Sequence, residues 1–251
     1  MSILSGKTIL VTGASSGIGQ AIAVRISKEG GKAILLGRNE ERLKKTASLC
    51  SSETVVFSAD IGQHNSLDSL PDIVRTLAKE HGPLAGLVHS AGIYQIIPLR
   101  ALYAEEIVDT FMINAVSGVL LAKGLTAKNT CTENASIVFI SSVMGHVGQS
   151  GVVAYCMSKG AVEQAVKSLA LELGKQGIRV NAVSPSIIAT PMIEEQLAKM
   201  TEQEKSNYLS TVPGGLGQPD DVASAVAFLL SDAARFITGI SLPVDNGFLA
   251  Q

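Results

Sequence analysis

Tryptophan is missing from this chain of 251 residues and aromatic residues make up only 4% of it, so its interior has to be built from aliphatic side chains. The apolar share is still 46%, with 24 glycines, which excludes a disordered chain and suggests aliphatic strands joined by small-residue turns. Cysteine is scarce: Cys50, Cys131 and Cys156 are odd in number and widely spaced, so they provide neither a disulfide framework nor a zinc spacing. A reducing compartment is the expectation. Positive charge is not in excess either, because the formal net charge is -2 and no run of Lys and Arg offers a footprint for nucleic acid. Nor does any stretch supply about 20 uninterrupted apolar residues for a membrane span. The opening residues, MSILSGKTILVTG, run straight into a strand pattern without the apolar core of a secretory signal. These absences predict a soluble cytoplasmic protein without a metal centre, a nucleic-acid partner or a membrane partner.

What is present is alternation. Short β-branched or aliphatic runs at 8–11, 33–36, 55–58, 86–89, 136–141, 179–183 and 241–244 read as strands, and longer segments between them carry helical spacing, such as Ile18, Ile22 and Ile26. Alternating strands and helices force right-handed crossovers and a parallel sheet covered on both faces, with ligands beyond the carboxyl ends of the strands. No repeat, low-complexity stretch or Pro- or Ser-rich linker divides the chain, so residues 1–251 are expected to form one α/β domain. The irregular region at 185–217, with a mainly polar helical segment around 194–209, suits a mobile flap over a site.

The first strand runs into Thr12-Gly13-Ala14-Ser15-Ser16-Gly17-Ile18-Gly19 and then an amphipathic helix. A diphosphate needs close backbone approach and free N–H groups, which small residues at a helix N-terminus supply. Gly13 makes the turn, Gly17 admits the phosphates and Gly19 lets the helix pack on the strand. The second strand ends in Gly37-Arg38, where sites that prefer NAD(H) place an acidic residue for the ribose hydroxyl. Gly37 removes a carboxylate that would repel a 2'-phosphate, and Arg38 offers that phosphate a bidentate partner, so NADP(H) is expected over NAD(H). Asp60, after the third strand, is placed either to accept from the adenine amine or to cap the following helix.

Tyr155 and Lys159 lie four apart in a helical pattern and therefore share one face. A free phenol, with a pKa of about 10, is a poor base near neutrality. An ammonium about 4 Å away is worth on the order of 4 kcal/mol at an effective dielectric of 20, or roughly three pKa units, which would bring Tyr155 near its working range. Ser142, ending the fifth strand, is placed to hold a substrate oxygen near the phenol. Asn114, on the preceding helix, is placed to fix a water beside Lys159. His146 rims the expected pocket, where contact with substrate and simple solvation are equally open.

With TGASSGIG at 12–19, Ser142 thirteen residues before Tyr155, YCMSK at 155–159 and Asn114 upstream, the chain resembles the short-chain dehydrogenase/reductase family over essentially its whole length. The resemblance implies a doubly wound Rossmann fold with seven parallel strands, a tetrad of Asn114, Ser142, Tyr155 and Lys159, and a homotetramer. Two long helices, at 105–128 and 154–175, carry more apolar residues than one face can bury, which agrees with subunit contacts. It further implies a cofactor cradle that includes Ser15, Ser16, Ile18, Ile61, Ala91, Gly92, Ile188 and Thr190 besides the glycines, Arg38 and Asp60. Three departures stand out. His89-Ser90-Ala91-Gly92 replaces the family's Asn-Asn-Ala-Gly, which should weaken the sheet centre. Pro185-Ser186 replaces Pro-Gly at the start of the flap. Ser16 stands where NADP-dependent relatives often carry a basic residue, leaving Arg38 as the principal phosphate ligand.

The implied activity is reduction of a ketone to a secondary alcohol, and much of the resemblance is to 3-oxoacyl-acyl-carrier-protein reductases. That substrate requires a basic patch, for which the candidates are only Arg100 and Lys128, Arg179 being placed instead near its strand. Sugar, steroid and other small alcohols would use the same tetrad. A non-catalytic NADP-binding sensor or scaffold is the alternative of another class, and the presence of the whole tetrad argues against it.

Overall fold

Ile9 and Val11 turn to one face of the first strand and Leu10 to the other, and all three are fully buried. Such a strand must be covered on both sides, which is the condition of a parallel sheet between helical layers. The structure is a computed structural model that describes residues 2–250, with residues 64–66 described by backbone alone. Strands β1 (Thr8–Thr12), β2 (Lys32–Gly37), β3 (Thr54–Ser58), β4 (Leu84–His89), β5 (Cys131–Ile140), β6 (Arg179–Pro185) and β7 (Ser241–Val244) form one sheet in the order β3-β2-β1-β4-β5-β6-β7. Every neighbouring pair is parallel. This is the expected doubly wound, seven-stranded sheet. The differences are at strand ends, the largest at β5, which begins five positions before the aliphatic run that announces it.

One face of the sheet is covered by α1 (Gly17–Lys28), α2 (Glu40–Leu49) and α9 (Pro219–Leu230), whose Ile22, Ile26, Leu43 and Val226 pack on Ile9, Val11 and Leu35. The other is covered by α3 (Leu70–His81), α5 (Ser117–Leu125) and α6 (Val153–Leu173), whose Leu77, Leu121 and Val166 pack on Leu10, Leu87 and Phe139. The chain visits β2 and β3 on one side of β1 and then returns to β4 on the other. The loops after β1 and β4 therefore diverge, opening a crevice at the carboxyl end of the sheet.

Two helical expectations change. The predicted helix at 105–128 runs from α4 (Ala104–Phe111) through a wider π-helical turn, Met112–Val116, into α5, and stops at Leu125. Residues Ala104–Leu125 are long and apolar enough to cross a membrane, but in this fold they pack against α3, α6 and the sheet. The segment expected around 194–209 is two helices, α7 (Pro191–Leu197) and α8 (Glu202–Leu209). The break is a capping box: Thr201 Oγ1 accepts from the Glu204 N–H at 3.3 Å, and the Glu204 carboxylate accepts from the Thr201 N–H at 2.8 Å.

The sheet centre is tied, contrary to the weakening expected from His89-Ser90. The buried His89 ring bridges Thr12 Oγ1 through Nδ1 and the Ile113 carbonyl through Nε2, both at 3.1 Å. Thr12 Oγ1 in turn accepts from the N–H groups of Ser90 and Ala91, each at 3.1 Å. Imidazole thus does what an amide would do, linking β4 to β1 and to the helix carrying Asn114.

Candidate active site

A cavity of about 620 Å³ occupies the crevice and is lined at one end by Gly13, Ser15, Ser16, Gly17, Ile18 and Gly19. Gly13 and Gly17 have φ of +65° and +55°, a left-handed region that favours glycine. A Cβ on Gly13 would lie 2.8 Å from the backbone of Ala91, and one on Gly19 would collide with the Gly13 carbonyl oxygen. The loop therefore lies flat against the β4 turn and on its own helix. The α1 N-terminus has Ser16 as its cap with no side-chain cap hydrogen bond, and no acidic residue stands in its first turn. Free N–H groups and an uncompensated dipole favour an anion there.

Arg38 and Asp60 line the same end, together with Ile61, Ala91, Gly92, Ile188 and Thr190. Asp60 does not cap a helix: its Oδ1 accepts from the Gly62 N–H at 2.9 Å and closes a turn. Thr190 caps α7 and sits over Gly17, 3.3 Å from where a Cβ would stand. Arg42 also lines this end and was missed. The signal was available, because Asn39 caps α2 by accepting from the Arg42 N–H, and a residue in that first turn faces the loop after β2 as Arg38 does. Further along, Ser141 Oγ is buried in the cavity wall without a partner. The glycine cradle, the free helix end, two arginines and this unpaired hydroxyl fit a phosphorylated dinucleotide.

Ser142, Tyr155 and Lys159 meet at the middle of the cavity. Ser142, at the end of β5, accepts from the Met144 N–H at 3.1 Å, and its interaction with Tyr155 opposes the upward shift of the phenol. Lys159 is buried, lies 5.5 Å from the Tyr155 ring centroid and donates to the Ile140 carbonyl at 2.8 Å. The expected lowering of the Tyr155 pKa is not found in the protein's own residues. Desolvation pushes the phenol up to about 12 and pulls Lys159 down to about 8, partly opposed by Glu163. Burial outweighs the ammonium here because it acts against the charge on both groups.

Asn114 stands behind the wall and does not line the cavity. Its Oδ1 accepts from the Ile93 N–H at 2.8 Å, and its Nδ2 donates to the Ile93 carbonyl and to Ser158 Oγ, both at 3.0 Å. The side-chain amide therefore holds the β4 loop to α6. His146 turns away from substrate as well, with Nε2 3.4 Å from Ser184 Oγ and 3.5 Å from the buried Glu163 carboxylate.

The substrate end of the cavity is lined by Tyr94, Met144, Gln149, Met192, Tyr208, Thr211 and Phe248. Tyr94 packs edge-on against Tyr155, centroids 4.8 Å apart at 87°. Phe248, near the chain end, was also missed. Asp245 positions it by accepting from the N–H groups of Gly247 at 3.0 Å and Leu249 at 2.9 Å.

Fold and cavity together define a nicotinamide-dependent oxidoreductase. Residues 13–249 match the family model described as enoyl-(acyl carrier protein) reductase, and the chain belongs to the short-chain dehydrogenase/reductase family. It is 34% identical over 245 residues to 3-oxoacyl-[acyl-carrier-protein] reductase from Haemophilus influenzae, covering 97% of this chain and 98% of that protein. L-xylulose reductase from Caenorhabditis elegans is 36% identical over 96% of this chain and 95% of its own length. Gluconate 5-dehydrogenase from Gluconobacter oxydans is 32% identical, with coverages of 97% and 95%. A solved structure described as a short-chain alcohol dehydrogenase from Sinorhizobium meliloti superposes with a TM-score of 0.90 at 30% identity, covering 99% of this chain and 98% of that one.

Proposed function

We propose that the chain is an NADPH-dependent reductase that converts a ketone to a secondary alcohol, with Tyr155 as the acid. The observation that carries this reading is the buried Tyr155 phenol, held between Ser142 and Lys159 at the middle of the cavity that begins at the glycine loop. The bound dinucleotide supplies the hydride. Arg38 and Arg42 hold its 2'-phosphate, the N–H groups at the α1 N-terminus hold its diphosphate, and Ser141 and Thr190 meet its nicotinamide end. Ser142 orients the ketone oxygen towards Tyr155. With its pKa near 12 the phenol is protonated at neutral pH, so it is charged with the proton that reduction requires. Lys159, ionised below about 8, stabilises the phenolate left behind and resupplies the proton. Asn114 acts through Ile93 and Ser158 by fixing the relative position of the β4 loop and α6.

The relatives named for 3-oxoacyl thioesters favour that substrate as a second reading. Arg179 is buried as its strand position implies, donating to the carbonyls of Ile237 and Ser231, which leaves Arg100 and Lys128 as the basic residues for an acidic carrier. The test is a substrate panel following NADPH absorbance, with simple ketones, ketoses and a small 3-oxoacyl thioester. Turnover of none of them would overturn the reading. The protein works as a cytoplasmic homotetramer, supported by the apolar patches on α6 and around β7.

A further inference from the structure

Among the described residues, three side chains of the Lys, Arg, Asp and Glu types are buried: Lys159, Glu163 and Arg179. Arg179 opens β6 and is tied to the carbonyls of Ile237 and Ser231. Lys159 and Glu163 are opposite in sign and stand one turn apart on the same face of α6. The mechanism above uses only the lysine. Glu163 does not line the cavity, so it is not placed to touch substrate or cofactor. Yet burying a carboxylate is costly unless hydrogen bonds and an opposite charge answer it.

The hydrogen bonds come from neighbouring strands. Glu163 Oε1 accepts from Ser184 Oγ on β6 and Ser241 Oγ on β7, both at 3.0 Å, and His146 Nε2 from the loop after β5 lies 3.5 Å away. The serines bring no charge, and His146 brings one only when protonated. Among the described residues Glu163 forms no ion pair with Lys or Arg. Lys159 is in the complementary position: its ammonium donates to the Ile140 carbonyl at 2.8 Å, lies over the Tyr155 ring and meets no carboxylate directly. Burial pulls it down to about 8, and Glu163 is the charge that opposes this fall.

The other titratable groups around the pair are Tyr155 on α6, His146, and His89 on β4, which burial and Lys159 itself keep neutral above about 4. Helix α4 also packs on α6, and none of its charged side chains is buried. The short helical turn Val143–Gly145, next after Ser142, rests on the same stretch of α6. A Cβ on Gly145 would stand 3.0 Å from Glu163 Cγ and 3.1 Å from the Lys159 carbonyl oxygen.

We propose that Glu163 is a positioning residue for the proton step: its carboxylate is the countercharge for the Lys159 ammonium, and its hydrogen bonds seat α6 on β6 and β7 beneath the turn that follows Ser142. This rests on the reductase reading above and adds to it a group that acts from behind the cavity wall.

The experiment follows kcat for ketone reduction against pH in wild type and in Glu163→Gln, which keeps the size and an acceptor oxygen but removes the charge. Without the carboxylate Lys159 gives up its proton at lower pH, so the decline near pH 8 is expected to move down by about one pH unit, as for one charge a helix turn away. Glu163→Asp, which keeps the charge, is expected to bring the decline back. A lower rate in Glu163→Gln with the decline in place would show a structural role alone and overturn the proposal. The same ionisation is read without turnover from the Lys159 Nζ magnetic resonance signal in protein carrying isotope-labelled lysine, assigned by its absence from Lys159→Met. The midpoint is expected to show the same displacement in Glu163→Gln, and an unchanged midpoint overturns the proposal. A midpoint that moves in a protein that reduces no ketone removes the reductase reading and leaves the coupling of Glu163 to Lys159 in place. Circular dichroism checks the fold of each variant. Where Glu163→Gln unfolds, both measurements are made on Glu163→Met, an uncharged side chain of similar length that leaves Ser184 and Ser241, 2.6 Å apart, to bond each other.

Discussion

His89 Nδ1 and Thr12 Oγ1 lie 3.1 Å apart at the carboxyl ends of neighbouring strands, and this contact fixes the protonation of both side chains. The Ile113 carbonyl can only accept, so Nε2 carries the ring proton and Nδ1 accepts from the threonine hydroxyl. That leaves Thr12 Oγ1 free to accept from Ser90 and Ala91, as it does. A charged ring would put a second donor against the hydroxyl, and burial together with the nearby Lys159 holds the His89 pKa down to about 4.

The consequence for stability follows from linkage. In the unfolded chain His89 titrates near 6.5, so between that pH and about 4 the unfolded state binds the extra proton and the native state loses stability as the pH falls. The full loss is on the order of 3 kcal/mol. Denaturant unfolding at pH 7, 5.5 and 4.5 should give a falling free energy in wild type. His89→Asn, which keeps a bridging amide, should flatten this part of the profile. An unchanged slope in the variant would show that other groups carry it.

For cofactor choice, Arg38 and Arg42 are the cations of the cavity's adenosine end. Arg38→Ala should weaken NADPH binding by about 10- to 100-fold, the range for losing a hydrogen bond to a charged group, with little effect on NADH. Arg42→Ala should act in the same direction and less strongly. Equal losses for both cofactors in either variant, read by fluorescence titration of the reduced nicotinamide, would remove that arginine from the 2'-phosphate site.

The tetramer prediction rests on two apolar patches. Val153 and Met157 are exposed near the start of α6, Leu171, 82% exposed, lies near its end, and Phe228 on α9 and the fully exposed Phe236 stand out before β7. The fourteen positions between Met157 and Leu171 span roughly 21 Å of helix, too far for one small contact, and two distinct two-fold interfaces generate a tetramer. Light scattering should find four chains in wild type and two in either Met157→Glu or Phe236→Glu. A monomeric wild type at micromolar concentration would end this proposal.

The inner strands were legible because they are buried on both faces and therefore read as unbroken aliphatic runs, as Ala33 to Leu36 does. The cofactor cradle was legible because glycine at 13, 17 and 19 answers to backbone contacts that no other residue permits. The capping box that splits α7 from α8 was also in plain view as Thr201-x-x-Glu204, and the polar composition around it concealed the break. Other features depended on tertiary contacts. The π turn at Met112–Val116 leaves no periodic mark. The orientation of Asn114 depends on Ile93, twenty-one residues away. Phe248 reaches the cavity only because β7 brings the chain end back to the crevice. The pKa of Tyr155 was misjudged because spacing on a helix reveals the neighbouring charge but not the burial that opposes it.

The proton mechanism makes the sharpest prediction. A phenol near 12 beside an amine near 8 means that ketone reduction should be fast at neutral pH and should decline above about pH 8, as Lys159 loses the charge that stabilises the phenolate. Alcohol oxidation should instead climb with pH, since it needs the phenolate at the start. Tyr155→Phe keeps the ring and its edge contact with Tyr94 but deletes the proton, so cofactor affinity should survive while kcat falls by about 10²- to 10⁴-fold in both directions. Lys159→Met should abolish the decline near pH 8 and move the oxidative limb to higher pH, besides slowing both reactions. Ser142→Ala should lower kcat without moving either limb, because its hydroxyl positions the oxygen and carries no charge that titrates. The measurement is kcat against pH from 6 to 10 for the three variants on one active ketone and its alcohol. Near wild-type turnover by Tyr155→Phe would overturn the mechanism, and a Lys159→Met profile that kept the decline near pH 8 would assign that ionisation to another group.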